Sequence, residues 1–448
     1  MSESQEIALG KESDPAIIAS FGLYENPELQ AFINVKGQEM AKISHRPNLN
    51  YEFKILDSPV VNAFAVPGGY VYFTRGIMAH FTNEAEFAGV LGHEIGHIAA
   101  RHSARQQTKQ TLFQLGFVLG VIVSKDLAEF AEPLAQSLGV LFLKFSRDDE
   151  TESDRLGVEY STKVGYDAHE MANFFHTLDK MRVQSGSAEI PTWQSTHPNP
   201  LNRYQNVNQL ADKWQTDLNV TNLKVNRDSY LKSIDGLIYG EDPRQGFVEN
   251  DYFFHPELKF QFPIPRQWKT ANSPQQFQMA SEDGKALMVL TAGKGSSLQE
   301  AANTFNQAQK LTVINSRSSS INNYPALIQM TTHKNGGSAK TLKISSYFIQ
   351  YEGLIYAFHG LTVLADFPQY ESTFNYTMNR FDKLTDATKL NRQPDRLRIV
   401  NAGVNGSLEN ALTYHNISVE HQAELAILNG MDLKDTVTAG MLIKIVSR

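Results

Sequence analysis

The run His93-Glu94-Ile95-Gly96-His97 restricts this chain more than any other feature of its sequence. Two imidazoles four residues apart share a face only if the segment is helical, and on that face both reach one metal ion. Glu94 lies beside them, where a carboxylate can serve as general base. With 13 histidines in 448 residues, and glutamate at about one residue in twenty, chance supplies this spacing only about 0.02 times per chain. A metal-binding reading is therefore preferred over a helix that merely buries two histidines. Leu91, Ile95 and Ile98 add an apolar stripe that would sink the helix into a core.

Cysteine is absent. Disulfides, thiol nucleophiles and thiolate ligands are excluded together, so a zinc site has to be built from histidine and carboxylate. Catalytic zinc keeps three protein ligands and one open position. A third histidine in the metzincin spacing is missing, because Ala100 and Ser103 stand where a glycine and that histidine would be. On a continuous helix His102 would lie about 140° round from His97; it reads as a capping or packing residue. The remaining option is a glutamate on a later helix that also carries a carboxylate to orient a ligating imidazole. Among Glu129, Glu132, Glu150, Glu152, Glu159, Glu170 and Glu189, only Glu150 has an aspartate four residues on, Asp154. Glu150 is the expected third ligand, with Asp154 behind a ligating histidine, while Asp149 and Glu152 read as a solvated acidic face.

The formal net charge of −7, without a run of Lys and Arg, argues against a nucleic-acid surface. Leu112 to Val123 is apolar but contains Gln114 and falls short of the ~20 residues needed to span a bilayer. It reads as a buried or amphipathic helix, so no transmembrane segment is expected. The polar start MSESQEIALGKESD carries no signal core, which fits a cytosolic chain or a mature exported form. Helical patterns dominate from Met1 to about Asn208, within a first domain expected over residues 1–245, with one β-rich stretch from Tyr51 to Thr74 turned at Pro67, Gly68 and Gly69. Asn83 with Glu86 opens a helix that runs through the HEIGH motif toward Thr108; Ser146 with Asp149, and Asp167 with Glu170, open two more. Residues 250–388 alternate short β-rich runs with helices at Leu298–Lys310 and Phe367–Phe381. Residues 392–448 form a third, βααβ unit. The expected fold class is α+β: a mainly helical zincin protease domain with a small sheet, then an α+β domain, then the small unit.

HEIGH, SRDDETESD and NAFAVPGG together resemble metallopeptidase family forty-eight, the gluzincin group of HtpX-like, Oma-type and BepA-like zinc endopeptidases, over about Gln5 to Arg203. The resemblance implies one zinc per chain held by His93, His97 and Glu150, with Glu94 as catalytic base and Asp154 behind the ligands. It implies a strand from Asn62 to Tyr72 bordering the cleft, with Asn62, Ala63 and Phe64 binding protein or peptide substrates through the main chain. The segment STHPNPLNR is similar to one that lies near the metal in BepA-like members, which makes His197 a candidate catalytic residue. It would either donate to an oxyanion or occupy the fourth metal position as a plug, and the plug is preferred because a protease of unfolded chains needs a resting state. A surface histidine capping a turn is the bland alternative. Residues 250–388 resemble PsbP-like domains and residues 392–448 a LysM-like unit, which implies peptidoglycan or another glycan as a partner of the tail; packing against the protease is the equal alternative. The resemblance implies cleavage of unfolded or misassembled proteins in quality control at the periplasm or cell envelope, as a mature exported form whose precursor could carry a lipid anchor. The rival is an envelope scaffold or chaperone-like binder with little proteolysis, which the retention of Glu94 disfavours.

Overall fold

The computed structural model describes residues 1–109, 117–118, 121–122, 124, 127, 145–184, 193, 197, 200–334 and 341–448. The chain divides into two compact units. The first is Met1–Thr111, Leu138–Glu241 and Pro394–Arg448; the second is Leu112–Ser137 and Asp242–Gln393.

In the first unit, helices α1 (Glu3–Phe21) and α2 (Pro27–Ala41) precede strands β1 (Glu52–Leu56), β2 (Ala63–Val66) and β3 (Tyr70–Thr74). The strands form a sheet of order β1-β3-β2, parallel between β1 and β3 and antiparallel between β3 and β2, so β2 is an edge. Gly68 and Gly69 make the β2–β3 turn at φ +89° and +107°, a region that favours residues without a Cβ. Short α3 (Arg75–His80) leads into α4 (Glu84–Ala99), the helix that carries HEIGH. Asn83 starts it by accepting the Glu86 N–H at 2.8 Å, and every residue from Glu84 to Ile98 is buried.

The helix expected to continue toward Thr108 ends instead at Ala99, and α5 (His102–Lys109) begins after a break at Arg101, whose φ is +60°. Arg101 pairs with Glu6 of α1, a buried carboxylate that also takes Arg46 at 2.9 Å. The break thus depends on a partner 95 residues away. After α6 (Arg147–Lys163) come α7 (His169–Gln184), α8 (Pro200–Leu218) and α9 (Arg227–Ser233). Ser146 and Asp149 exchange both bonds of a capping box at the start of α6, at 3.2 and 3.1 Å.

Helices α4 and α6 touch backbone to backbone. A Cβ on Gly92 would meet the Gly157 carbonyl oxygen at 2.9 Å, one on Gly157 would meet His93 N at 2.9 Å, and one on Gly96 would meet the Ser153 oxygen at 3.2 Å. Each helical glycine costs about 1 kcal/mol against alanine, and close approach is what these three provide. It brings the first turns of α6, with Glu150 and Asp154, over the two histidines of α4.

The C-terminal residues join this same unit. Arg396–Asn401 pairs antiparallel with Leu442–Ser447 around helices Leu408–Tyr414 and Val419–Leu428, and Leu397, Leu412, Leu428 and Ile443 belong to one core with Phe81 and Phe174. Buried Lys444 donates to the carbonyls of Ala79, Phe81 and Leu428 at 2.6–2.8 Å. Three acceptors satisfy all three ammonium protons.

The second unit holds a seven-stranded antiparallel sheet that includes Ala286–Ala292 and four long strands between Thr312 and Val363. Helix Phe367–Met378 packs on an aromatic-rich core with Phe253, Phe262 and Phe358, and helix Leu298–Ala308 contributes to a core with Leu327, Phe348 and Ala357. Of the helix expected over Leu112 to Val123, the described residues form a hairpin instead, Phe117 and Val118 facing Ile122 and Val121; the rest lies outside the described residues. No helix among those described is long and apolar enough to cross a membrane.

Candidate metal centre

Four side chains converge inside the first unit: His93 and His97 from α4, Glu150 from α6, and His197. One ligand atom of each lies within 4.8 Å of the others, and all four residues are buried. His93 Nε2 is 3.0 Å from His97 Nε2 and 3.3 Å from His197 Nδ1. Glu150 Oε1 is 2.8 Å from His197 Nδ1 and 3.5 Å from His97 Nε2, and Oε2 is 3.7 Å from His93 Nε2. Ligand atoms about 2.05 Å from a tetrahedral zinc stand about 3.3 Å apart. The observed separations of 2.8–3.7 Å bracket that value.

Charge makes the same demand. Among the described residues, Glu94, Glu150 and Asp154 are buried with one arginine or lysine, Arg203, among them. Three carboxylates against one guanidinium leave a formal charge of −2, which a divalent ion cancels. Both Glu94 carboxylate oxygens are buried and, among the described residues, have no hydrogen-bond partner, an arrangement that costs free energy unless a proton donor is served there. The residues fit a zinc ion, with histidine and carboxylate donors and no thiolate.

The surroundings fix each ligand. Asp154 Oδ1 lies 2.9 Å from His93 Nδ1, so the proton of His93 sits on Nδ1 and its Nε2 lone pair faces the donor group. Arg203 binds Asp154 through Nε and Nη2 at 2.7 and 2.6 Å and reaches Glu150 Oε2 through Nη1 at 2.9 Å. Its guanidinium lies over the rings of Phe175 and Trp193 at 4.3 and 4.8 Å. Trp193 stacks on His197 at 4.7 Å, and Phe145 on His97 at 4.0 Å. Burial opposes the charge of Asp154, yet Arg203 and His93 hold its carboxyl at about 2. The same contest at Glu150, with burial opposed by His197 and Arg203, leaves its carboxyl below the ordinary range. His97 is held well below its usual value by burial and by the neighbouring His93, His197 and His102, which keeps it neutral as a ligand must be. Burial would lower His197 too, but Glu150 and Glu94 raise it.

The structure therefore brings His93, Glu94, His97, Glu150, Asp154 and His197 to one place. Asn62, Ala63 and Phe64 lie at and just before edge strand β2, and the adjacent Val61 carbonyl accepts the Trp193 N–H at 3.2 Å. His102 is outside the donor group, but not because of a 140° rotation: it opens a new helix, and its Nδ1 is 2.9 Å from His97 Nδ1. Glu152 is more than a solvated carboxylate, since its Oε2 takes His102 Nε2 at 3.1 Å. Arg203, Trp193 and Phe145 escape a reading of local spacing. For Arg203 a signal existed: it lies in STHPNPLNR, and a cluster of carboxylates sunk in a core requires a cation.

The sequence pattern of Peptidase family M48 matches residues 27–211. That segment is an M48 peptidase domain. The chain is similar to the mitochondrial metalloendopeptidase OMA1 of Arabidopsis thaliana, 34% identical over 166 residues that cover 36% of this chain and 32% of that protein. It is also similar to the beta-barrel assembly-enhancing protease of Yersinia pestis, 31% identical over 223 residues, 48% of this chain and 45% of that protein. The chain thus spans less than half the length of either relative. The solution structure of cyanobacterial PsbP from Synechocystis matches 30% of this chain and 91% of its own at 12% identity, with a TM-score of 0.24.

Proposed function

We propose that this chain is a zinc-dependent endopeptidase that cleaves unfolded or misassembled polypeptides in the periplasm or cell envelope. The observation that carries the proposal is the buried His93–His97–Glu150–His197 group with the Glu94 carboxylate beside it, which accepts no hydrogen bond among the described residues. When bound, zinc supplies a Lewis acid that polarises a peptide carbonyl and lowers the pKa of water. Glu94 takes a proton from the attacking water and passes it to the departing amine nitrogen. Asp154 and Arg203 hold His93 and Glu150 in place throughout. Edge strand β2 receives an extended substrate through main-chain hydrogen bonds, which makes sequence selectivity loose and suits unfolded chains. The envelope assignment is supported by similarity to a relative named a beta-barrel assembly-enhancing protease.

His197 acts in this reading as a plug. Its Nδ1 faces His93 and Glu150, and its Nε2 stands 3.7 Å from Glu94 Oε1, so one imidazole covers both the fourth ligand position and the base. The C-terminal unit serves to brace α3 and the start of α4, which its shared core and Lys444 support, rather than to hold a glycan. Digestion of an unfolded protein tests the proposal. The parent cleaves and a chelator stops it, Glu94→Gln is inactive with its zinc retained, and His197→Ala cleaves faster. Parent-like cleavage by Glu94→Gln, or no cleavage by either the parent or His197→Ala, contradicts it.

A further inference from the structure

We infer that His102, backed by Glu152, is a positioning residue for His97 and sets how tightly the centre holds its metal; the inference rests on the zinc reading above. A ligating Nε2 offers its lone pair, so the proton of His97 is on Nδ1. That nitrogen lies 2.9 Å from His102 Nδ1, which must then accept. The proton of His102 is consequently on its Nε2, 3.1 Å from Glu152 Oε2 and 3.5 Å from Asp149 Oδ1. Every polarity along the line is determined: His97 donates to His102, and His102 donates to a carboxylate. Ser153 Oγ stands 3.2 Å from the accepting nitrogen.

The two histidines of the HEIGH helix are therefore held by different means. His93 meets a carboxylate directly, Asp154 at 2.9 Å. His97 meets a neutral imidazole that relays to a carboxylate on the opposite side of the same helix α6. Residues two apart on a helix are separated by about 200°, so Glu150 and Glu152 point away from each other. His102 closes that gap and lets α6 clasp both ligands.

The contact requires the break after α4. Arg101 takes φ +60°, a left-handed conformation that is unfavourable for a side chain with a Cβ. Such a conformation persists only where its surroundings fix it, and here Glu6 binds the Arg101 guanidinium. The strained residue turns His102 back toward His97, where it is fully buried.

The test compares two variants of the full chain that each keep half of the relay. His102→Asn places an amide oxygen where Nδ1 stood and preserves the acceptor for His97. His102→Gln extends to the Nε2 position, keeps a group facing Glu152 and removes that acceptor. Zinc affinity is measured by competition with a chelating dye, with the melting temperature of each zinc-free protein beside it. His102→Gln weakens zinc by roughly 10- to 100-fold, His102→Asn stays close to the parent, and the zinc-free melting temperatures of the two variants agree. Glu152→Gln lies between. Equal affinities in the two His102 variants, or the reverse order, overturn the inference. A parent that binds zinc yet leaves unfolded protein intact overturns the peptidase reading alone, and a parent that binds no zinc overturns both.

Discussion

Replacing Arg203 with methionine keeps an unbranched stem against Phe175 and Trp193 but removes the guanidinium that pairs with the buried carboxylates of Glu150 and Asp154. Asp154 then loses two hydrogen bonds of 2.6 and 2.7 Å, and Glu150 Oε2 loses its 2.9 Å partner. Removing one side of a buried ion pair costs about 3–5 kcal/mol, because the partner's charge stays buried. At about 2–4 °C per kcal/mol for a unit of this size, the first unit's melting temperature falls on the order of 10 °C in zinc-free protein. Zinc should recover part of that loss, since a dication supplies the missing positive charge. Adding Asp154→Asn to the same chain should cost less than the sum of the single changes, because it removes the carboxylate that Arg203 serves. Thermal unfolding of the two single variants, the double variant and the parent, each with and without zinc, gives all the quantities. An unchanged melting temperature in Arg203→Met, or strict additivity with Asp154→Asn, would refute the charge argument.

Gly157→Ala places a methyl 2.9 Å from His93 N, a backbone atom that cannot move aside; it should force α6 off α4 and lower zinc content, and a fully loaded variant would show that the close approach is not needed. Stability should fall with pH below neutrality, because burial holds His80 at about 4 and His359 at about 3. Both are neutral when folded, and the unfolded chain takes up protons below about 6.5, so each histidine weakens its own unit by up to tenfold in the folding equilibrium per pH unit between 6.5 and its folded value. His359→Phe, at a ring stacked 3.9 Å from Phe305, should flatten this slope for the second unit between pH 6.5 and 5 in denaturant titrations; an unchanged slope would contradict the assignment.

What the sequence could disclose about this centre was local. His93, Glu94 and His97 are legible because one helical turn fixes their relation, and Glu150 because Asp154 follows four residues later on its face. The strands between Glu52 and Thr74 are legible from alternation and from the Pro-Gly-Gly turn. The break at Arg101 was not legible, since IAARHSARQQTK continues a helical composition and the left-handed residue is held by Glu6 in another helix. Without that break the sequence sets His102 on the HEIGH helix and Glu152 in solvent, whereas His102 opens α5 and bonds to Glu152. The glycines at 92, 96 and 157 look merely costly until their helices are seen to meet. Trp193, Phe145 and Arg203 touch the ligands only through the tertiary fold, and the C-terminal unit reads as separate because its apolar side chains reveal nothing about which core they complete.

Zinc content of the purified full chain, compared with Glu150→Ala, tests the central claim most directly. The donor group of two α4 histidines, Glu150 and His197 predicts about one zinc per parent chain, and a clear loss in a variant that lacks the carboxylate 2.8 Å from His197 and 3.5 Å from His97. A parent without zinc, or a Glu150→Ala protein that keeps its full complement, would contradict the account.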